Sequence, residues 1–489
     1  MKKLNVVLLI LIFLISFGFR TIYSLQTNTF SSSNSYFVMR QIDEIEKTGL
    51  PFSIDELSYG GRTHFFQHTF FLIMGYLVKF FGKIFGLYIF PNLISSLMVF
   101  IIYLITSEIT EKTSVKMISA LLAGIMPFFI NLTLNTLNIH FLLLPLLFLT
   151  LYFFIDCTKS KKKLIHLTIS SILLTLIHPF SLFFIFIIWI YVLLMKIEDK
   201  PIKNYIIEFN TFILFFWYVT NFFFLRKGIF SAGLNLFSPG IPLSLFSKYL
   251  NTFSLFRSLT GAGILVVLLG IHGAYRSLIR GDKVRTNNVL LSILIMIICL
   301  TLLRIISISE SLAYFGFIVI IFAAYSLNLM IDYSKKLKSK NLADILIYVV
   351  FILVIISTLA SSVFEANLQL KEQINPDTIR ALKWLETKPD NQTVLGSLEE
   401  GNLIAHYSNK PNVIDSWYHF GMDTKERIDD INLIYETPFT TVALKSLDKY
   451  NVNYILVTGE EIKIASDTTC FPKIYDDGVK IYEVKCKIN

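Results

Sequence analysis

HFFQHTFFLIMGYLVKFFGKIF, residues 64–85, is the stretch on which the topology of this 489-residue chain turns. As a helix it is long enough to cross a hydrocarbon core of about 30 Å. Yet His64, Gln67, His68, Lys79 and Lys83 are spread along it. About eleven other apolar runs are candidate spans, at 4–24, 87–107, 117–134, 137–156, 164–178, 180–195, 205–225, 259–279, 287–305, 311–331 and 342–362. If 64–85 also crosses, Lys159, Lys161, Lys162 and Lys163 fall outside, as do Arg276, Arg280, Lys283, Arg285 and the group Lys335, Lys336, Lys338 and Lys340, against the positive-inside rule. If it lies in the outer interface as an amphipathic helix, all of these fall inside. The second reading is adopted. It sets the amino terminus, behind Lys2 and Lys3, in the cytoplasm and residues 363–489 outside the cell membrane.

Composition agrees with a polytopic helical protein of the plasma membrane. Hydrophobic residues make up 54% of the chain and charged ones only 16%, with a mean hydropathy of +0.62. That excludes a soluble globular or disordered chain, and runs of this length exclude a β-barrel. The net charge of +9 reports orientation, since the Lys and Arg sit between apolar runs; no nucleic-acid partner is expected. Cys157, Cys299, Cys470 and Cys486 show no metal-ligand spacing.

The expected organisation is a transmembrane domain, 1–362, followed by an extracytoplasmic α/β domain, 363–489. The first carries a long first outer loop, 25–86, and a second at 226–258. Within 363–489, helices are expected at 376–387, 425–435 and 439–450 and after Gly401, and strands at 394–397, 413–414, 454–457 and 479–484. Cys470 and Cys486 flank the turn Asp476-Asp477-Gly478, and a cross-strand disulfide between them is allowed. Sequons stand at Asn131 and Asn391. In the first loop, Gly60-Gly61-Arg62 combines close backbone approach with a fork-shaped anion ligand, or is simply a surface turn.

This order of parts resembles the GT-C superfamily of membrane glycosyltransferases, and most nearly the catalytic subunit of archaeal and bacterial oligosaccharyltransferase. The likeness runs through the whole chain. Asn34-Ser35-Tyr36-Phe37-Val38-Met39-Arg40 matches that family's first-loop pattern of an acid, two aromatics and an Arg. Pro127 and Asn138-Ile139-His140 occupy the place of its acidic second loop. Val394-Leu395-Gly396-Ser397-Leu398-Glu399-Glu400-Gly401 sits where the family carries its WWDYG acceptor motif, and Asn453-Tyr454-Ile455-Leu456-Val457 resembles its closing strand. The departures are specific. Asn34 replaces an acid that serves as base or metal ligand, Asn138 and His140 replace the second-loop acids, and Ser397 and Leu398 replace the Trp pair.

What the resemblance implies is transfer of a sugar or oligosaccharide from a polyprenyl-phosphate or polyprenyl-diphosphate donor to an outward-facing glycan or protein acceptor. The alternative is a catalytically inactive relative that binds a lipid-linked glycan or a partner subunit. Transfer needs cations for the phosphate, a base or metal for the acceptor, and an apolar path for the lipid. Arg304, at the outer edge of its span, is the phosphate candidate. Asp55, Glu56 and His140 are candidates for the base. Asn34, Tyr36, Arg40, Arg62 and Glu399 are candidates for substrate contacts. His64 and His68, one helical turn apart, could join His140 around Mg or Mn to replace the missing acids; otherwise no cofactor is expected.

Overall fold

The computed structural model describes residues 3–64, 68–232, 263–280, 284–336, 339–417, 423–459 and 462–488. The chain divides into two compact units. One gathers Met1–Thr27, Phe81–Arg226 and Gly240–Lys371; the other is built mainly from Asn28–Phe80 and Glu372–Asn489. The fold is that of an α-helical polytopic membrane protein with strands in its carboxy-terminal part.

In the first unit, helices occupy all eleven expected places. Eight are long and apolar enough to cross a membrane. Leu164–Ile177, Ser181–Ile197 and Ile264–Arg280 are shorter, a difference the apolar runs hid because apolar residues continue into the connecting turns. The second expected span begins as a π-helical turn, Ile84–Ile89. The third is broken into Thr113–Gly124 and Pro127–Thr133, since Pro127 lacks the N–H needed to continue a helix. Ile308–Ser334 is the centre of the bundle, with 78% of its apolar window buried, against 17% for Lys3–Ser24. Small residues let helices touch there: a Cβ on Gly273 would lie 1.9 Å from the Phe322 carbonyl, and one on Gly270 2.6 Å from Val319. The first helix carries Arg20, only 1% exposed. It donates to the Thr133 hydroxyl and lies over the Phe129 ring, tying the helix to Pro127–Thr133.

The stretch that opened the sequence reading resolves into a helix of 13 residues, Thr69–Phe81. At about 20 Å it is too short to cross a bilayer core. Gly82, at φ +83°, ends it. One face packs on the helix Asn34–Thr48, so tightly that a Cβ on Gly75 would meet Ile45 at 2.6 Å. His64 lies outside this helix, following a strand, so the expected pairing of His64 and His68 on one helical face does not occur. The second long loop expected at 226–258 lies outside the described residues beyond Ala232, where its leading helix Asn204–Ala232 ends.

In the second unit, β1 (Ile54–Asp55) and β2 (Arg62–Thr63) form an antiparallel pair closed by Tyr59, Gly60 and Gly61, all at positive φ. A four-stranded sheet combines β3 (Thr393–Leu395), β4 (Val452–Val457), β5 (Lys473–Asp476) and β6 (Lys480–Glu483) in the order β3-β4-β6-β5. β3 runs parallel to β4 and the other pairs are antiparallel. Helices Pro376–Glu386, Thr424–Glu436 and Thr440–Lys449 stand where expected. The strand expected at 413–414 is reduced to a bridge at Asn412, which pairs with both Val394 and Ser58. Through it the first loop is stitched to the terminal sheet: Asn412 N–H donates to the Leu57 carbonyl at 2.9 Å and its own carbonyl accepts from Tyr59 N–H at 3.2 Å.

Cys470 and Cys486 form a disulfide, 16 residues apart in sequence, beside the β5–β6 hairpin. Closing a loop of this size restricts the unfolded chain by about 2–4 kcal/mol. A Cys470→Ser, Cys486→Ser double variant is therefore expected to lose stability by that amount and to melt at a lower temperature, read by thermal unfolding in detergent without reductant; an unchanged melting point would refute it.

Candidate functional site

Two polar centres hold the expected residues, one in each unit. In the second unit, Asp55 is 1% exposed and receives both arms of Arg40, at 2.6 and 2.9 Å. The Leu57 N–H donates to it at 3.1 Å, and the His64 ring stands 4.0 Å away, set between the rings of Phe37 and Phe52. Burial would push the Asp55 carboxyl up, but His64 and the bidentate Arg40 reverse this and hold it well below the ordinary carboxylate range. Burial lowers His64. A carboxylate enclosed by a guanidinium is a weak proton acceptor, and this engagement weighs against the expected general-base role of Asp55.

Arg62 is likewise engaged. It makes a bidentate pair with Asp415 at 2.9 and 3.1 Å and donates to the Trp417 carbonyl at 3.0 Å, and it is 4% exposed. Asp415 also takes the Ser58 hydroxyl and, at 2.8 Å, the Trp417 N–H. The Tyr59 ring is sandwiched between Arg62 and Arg427 at 4.9 and 5.2 Å. Arg40 and Arg62, expected as substrate ligands, each make a bidentate ion pair, Arg40 with Asp55 and Arg62 with Asp415. Asn34 accepts from the Ser416 hydroxyl at 2.6 Å, and Tyr36 packs against His406 and Tyr407. Glu56 and Glu399 are exposed. The neighbouring Glu400, 7% exposed, takes the Ser397 N–H at 2.7 Å and the Thr458 hydroxyl, closing the segment expected to face an acceptor.

In the first unit, the break before His140–Lys159 places His140 at a helix start. Its Nε2 lies 3.0 Å from Glu310 Oε1 and its Nδ1 3.3 Å from the Tyr314 hydroxyl. Glu310 is fixed by a capping box: its carboxylate accepts the Ser307 N–H at 2.8 Å while Ser307 Oγ accepts the Glu310 N–H. Tyr314 follows one turn later on the same face, and Phe180 stacks on its ring at 6.0 Å. His178 stands in the same connection as Phe180, whose N–H donates to the His178 ring. Arg304 sits at φ +58° in the turn between Val284–Leu302 and Ile308–Ser334, its N–H on the Thr301 carbonyl.

The centre therefore gathers His140 with Glu310, a carboxylate absent from the residues expected at the site. The Ser307-Ile308-Ser309-Glu310 cap signature was readable; its meeting with His140, 170 positions away, was not. Of the sequons, Asn131 donates to Glu365 at 2.8 Å and Asn391 is exposed in a turn.

No protein-family profile and no curated sequence matches the chain. Solved structures do. The oligosaccharyltransferase of Archaeoglobus fulgidus in its apo form aligns over 94% of this chain and 70% of its own, with a TM-score of 0.71 at 12% identity; the same enzyme is known with an inhibitory peptide and a dolichol-phosphate, and with Zn and sulfate. ArnT from Cupriavidus metallidurans, bound to undecaprenyl phosphate, aligns over 99% and 98% with a TM-score of 0.60 at 10% identity. The mycobacterial arabinofuranosyltransferase AftD aligns over 97% of this chain and 40% of its own, with a TM-score of 0.53 at 13% identity. Among the described residues no three His, Cys, Asp or Glu side chains are grouped to hold a divalent metal, and His64 is packed between aromatic rings. Backbone likeness at such low identity speaks for architecture alone, and by that measure the chain has the fold of the GT-C membrane glycosyltransferases.

Proposed function

We propose that the chain is a membrane glycosyltransferase that takes a sugar or oligosaccharide from a polyprenyl-phosphate or polyprenyl-diphosphate donor and passes it to an acceptor at the outer face of the plasma membrane. The observation that carries this reading is the His140–Glu310 centre at the helix starts of a GT-C bundle, with Arg304 in the turn that leads to Glu310. The basic loops at 159–163 and 335–340 mark the cytoplasmic side, which puts this centre and the terminal domain outside. Relatives in fold bind dolichol-phosphate and undecaprenyl phosphate, so a lipid-linked donor suits the architecture.

Arg304 supplies the cation for the donor phosphate, and the Glu310–His140 pair handles the proton that the acceptor loses. Removing a preorganised charge at the leaving group costs about 10²–10³ in rate. Arg304→Asn, a residue that tolerates the left-handed backbone, is expected to slow transfer by about 100-fold with the fold intact. The assay is the purified protein in nanodiscs with radiolabelled lipid-linked sugars extracted from the producing organism; an unaltered rate would remove Arg304 from the site. The second reading, a silent donor-binding relative, is favoured by the engagement of Asn34 and Asp55 in internal bonds, and it predicts labelled donor retained in the nanodiscs with no transfer at all.

A further inference from the structure

We infer that the outward face of the helix Ile264–Arg280 is an interface between two copies of this chain, closed by reciprocal hydrogen bonds between His272 and Tyr275.

The helix has two unlike faces. Val266, Val267 and Ser277 are buried, and on the same side Gly270 and Gly273 lie against Val319 and Phe322 of Ile308–Ser334. Leu268, Ile271, Tyr275 and Leu278 are between 51% and 61% exposed on the other side. Lipid alone would cover a wholly apolar face. This one also carries His272, exposed and eight residues from either helix end, about 12 Å from each. An ionisable side chain at such depth calls for a partner.

The bonds of the ring fix which nitrogen is left over. Ser326 Oγ donates to the Leu269 carbonyl at 2.7 Å, so towards His272 Nδ1, 2.8 Å away, it accepts. A neutral imidazole, the form that apolar surroundings favour, has one N–H. With that proton on Nδ1, Nε2 is a bare acceptor. Hydrocarbon has no donor to offer it, and among the described residues this chain supplies none.

Tyr275 is a donor of the right reach on the same face. It follows His272 by three residues, about 4.5 Å along the axis. Helical side chains lean towards the amino terminus, which carries the Tyr275 hydroxyl back to the level of His272. Arg276, the next residue, is engaged with Tyr333 of its own chain at 2.8 Å. Two copies in one membrane share an orientation, and a two-fold axis along the membrane normal sets equal depths opposite each other. Each Tyr275 hydroxyl then meets Nε2 of the other copy's His272. The face is thus self-complementary: a second copy satisfies both polar groups at once.

The test counts photobleaching steps of the fluorescently tagged full-length protein in liposomes over a range of protein-to-lipid ratios. The expected result is a dimer whose population grows with density. His272→Leu and Tyr275→Phe should each weaken association by about tenfold, because either one removes both symmetric bonds, and the double variant should be no weaker than the singles. A second arm keeps both polar residues and so decides even where a variant folds poorly. In a Cys299→Ser background, Ile271→Cys should cross-link between copies under mild oxidation. Ile169→Cys, at a position 54% exposed on Leu164–Ile177, should not. A monomer at every density would overturn the interface, as would a dimer that both substitutions leave unchanged or that cross-links through Ile169→Cys and not through Ile271→Cys.

Discussion

Replacing Asp415 by alanine is expected to destabilise the unit built from Asn28–Phe80 and Glu372–Asn489 by about 3–5 kcal/mol, because it strands a buried cation. The Asp415 and Arg62 side chains are 0% and 3% exposed. With the carboxylate gone, Arg62 keeps the Trp417 carbonyl and the Tyr59 ring but no counter-charge from Asp415, and Ser58 and the Trp417 N–H lose their acceptor. For a domain of this size such a loss lowers the melting point by roughly 10 °C. Removing both charges is the control. Arg62→Leu with Asp415→Leu takes away the pair together with its desolvation cost, so the double variant should be clearly more stable than Asp415→Ala. Melting followed by tryptophan fluorescence, with limited proteolysis of the first loop, would measure both. A loss under 1 kcal/mol for Asp415→Ala would show that the pair does not hold loop and sheet together.

Helix positions in the bundle were legible because each apolar run is a local property of the chain. Their true lengths were less so, since the runs 164–178 and 180–195 stay apolar through the turn at Pro179, while the structure ends one helix at Ile177 and starts the next at Ser181. The stretch 64–85 holds a helix of only 13 residues, Thr69–Phe81, closed by Gly82 at positive φ, and the tight approach of Gly75 to Ile45 in Asn34–Thr48 is a contact that no window of sequence contains. β5 was missed because Lys473–Asp476 is short and half polar; it exists by pairing with β6 across the Asp477-Gly478 turn. The site divides in the same way. His140 and Arg304 were candidates from position alone. The contacts that decide what each candidate does join residues far apart in sequence, as in Arg62 to Asp415, 353 positions apart, and His140 to Glu310. Arg40 and Asp55 are only 15 apart, yet their pairing depends on how β1 folds back on the helix, a contact that neither residue's local sequence announces.

That pairing separates a catalytic Asp55 from a structural one. As the general base, Asp55 would tolerate replacement by Asn in folding and lose nearly all transfer; as the partner of Arg40, the reverse holds. Asp55→Asn leaves the Arg40 guanidinium, 13% exposed on its side chain, without its counter-charge, and is expected to destabilise the unit by about 2–4 kcal/mol. The Arg40→Leu, Asp55→Leu double variant should recover most of that loss and transfer sugar within about threefold of wild type, since transition-state stabilisation lost through a missing base would be about 10²–10⁴-fold. The acid limb follows from the same pair. Because the folded carboxyl titrates below the unfolded one, its stabilisation is present in full above the unfolded value near pH 4 and drains away as pH falls below it. Wild type should therefore lose melting temperature between about pH 4 and pH 2 more steeply than the double variant, which has no such proton to take up. Equal slopes, or a double variant that folds but cannot transfer, would return Asp55 to the reacting centre.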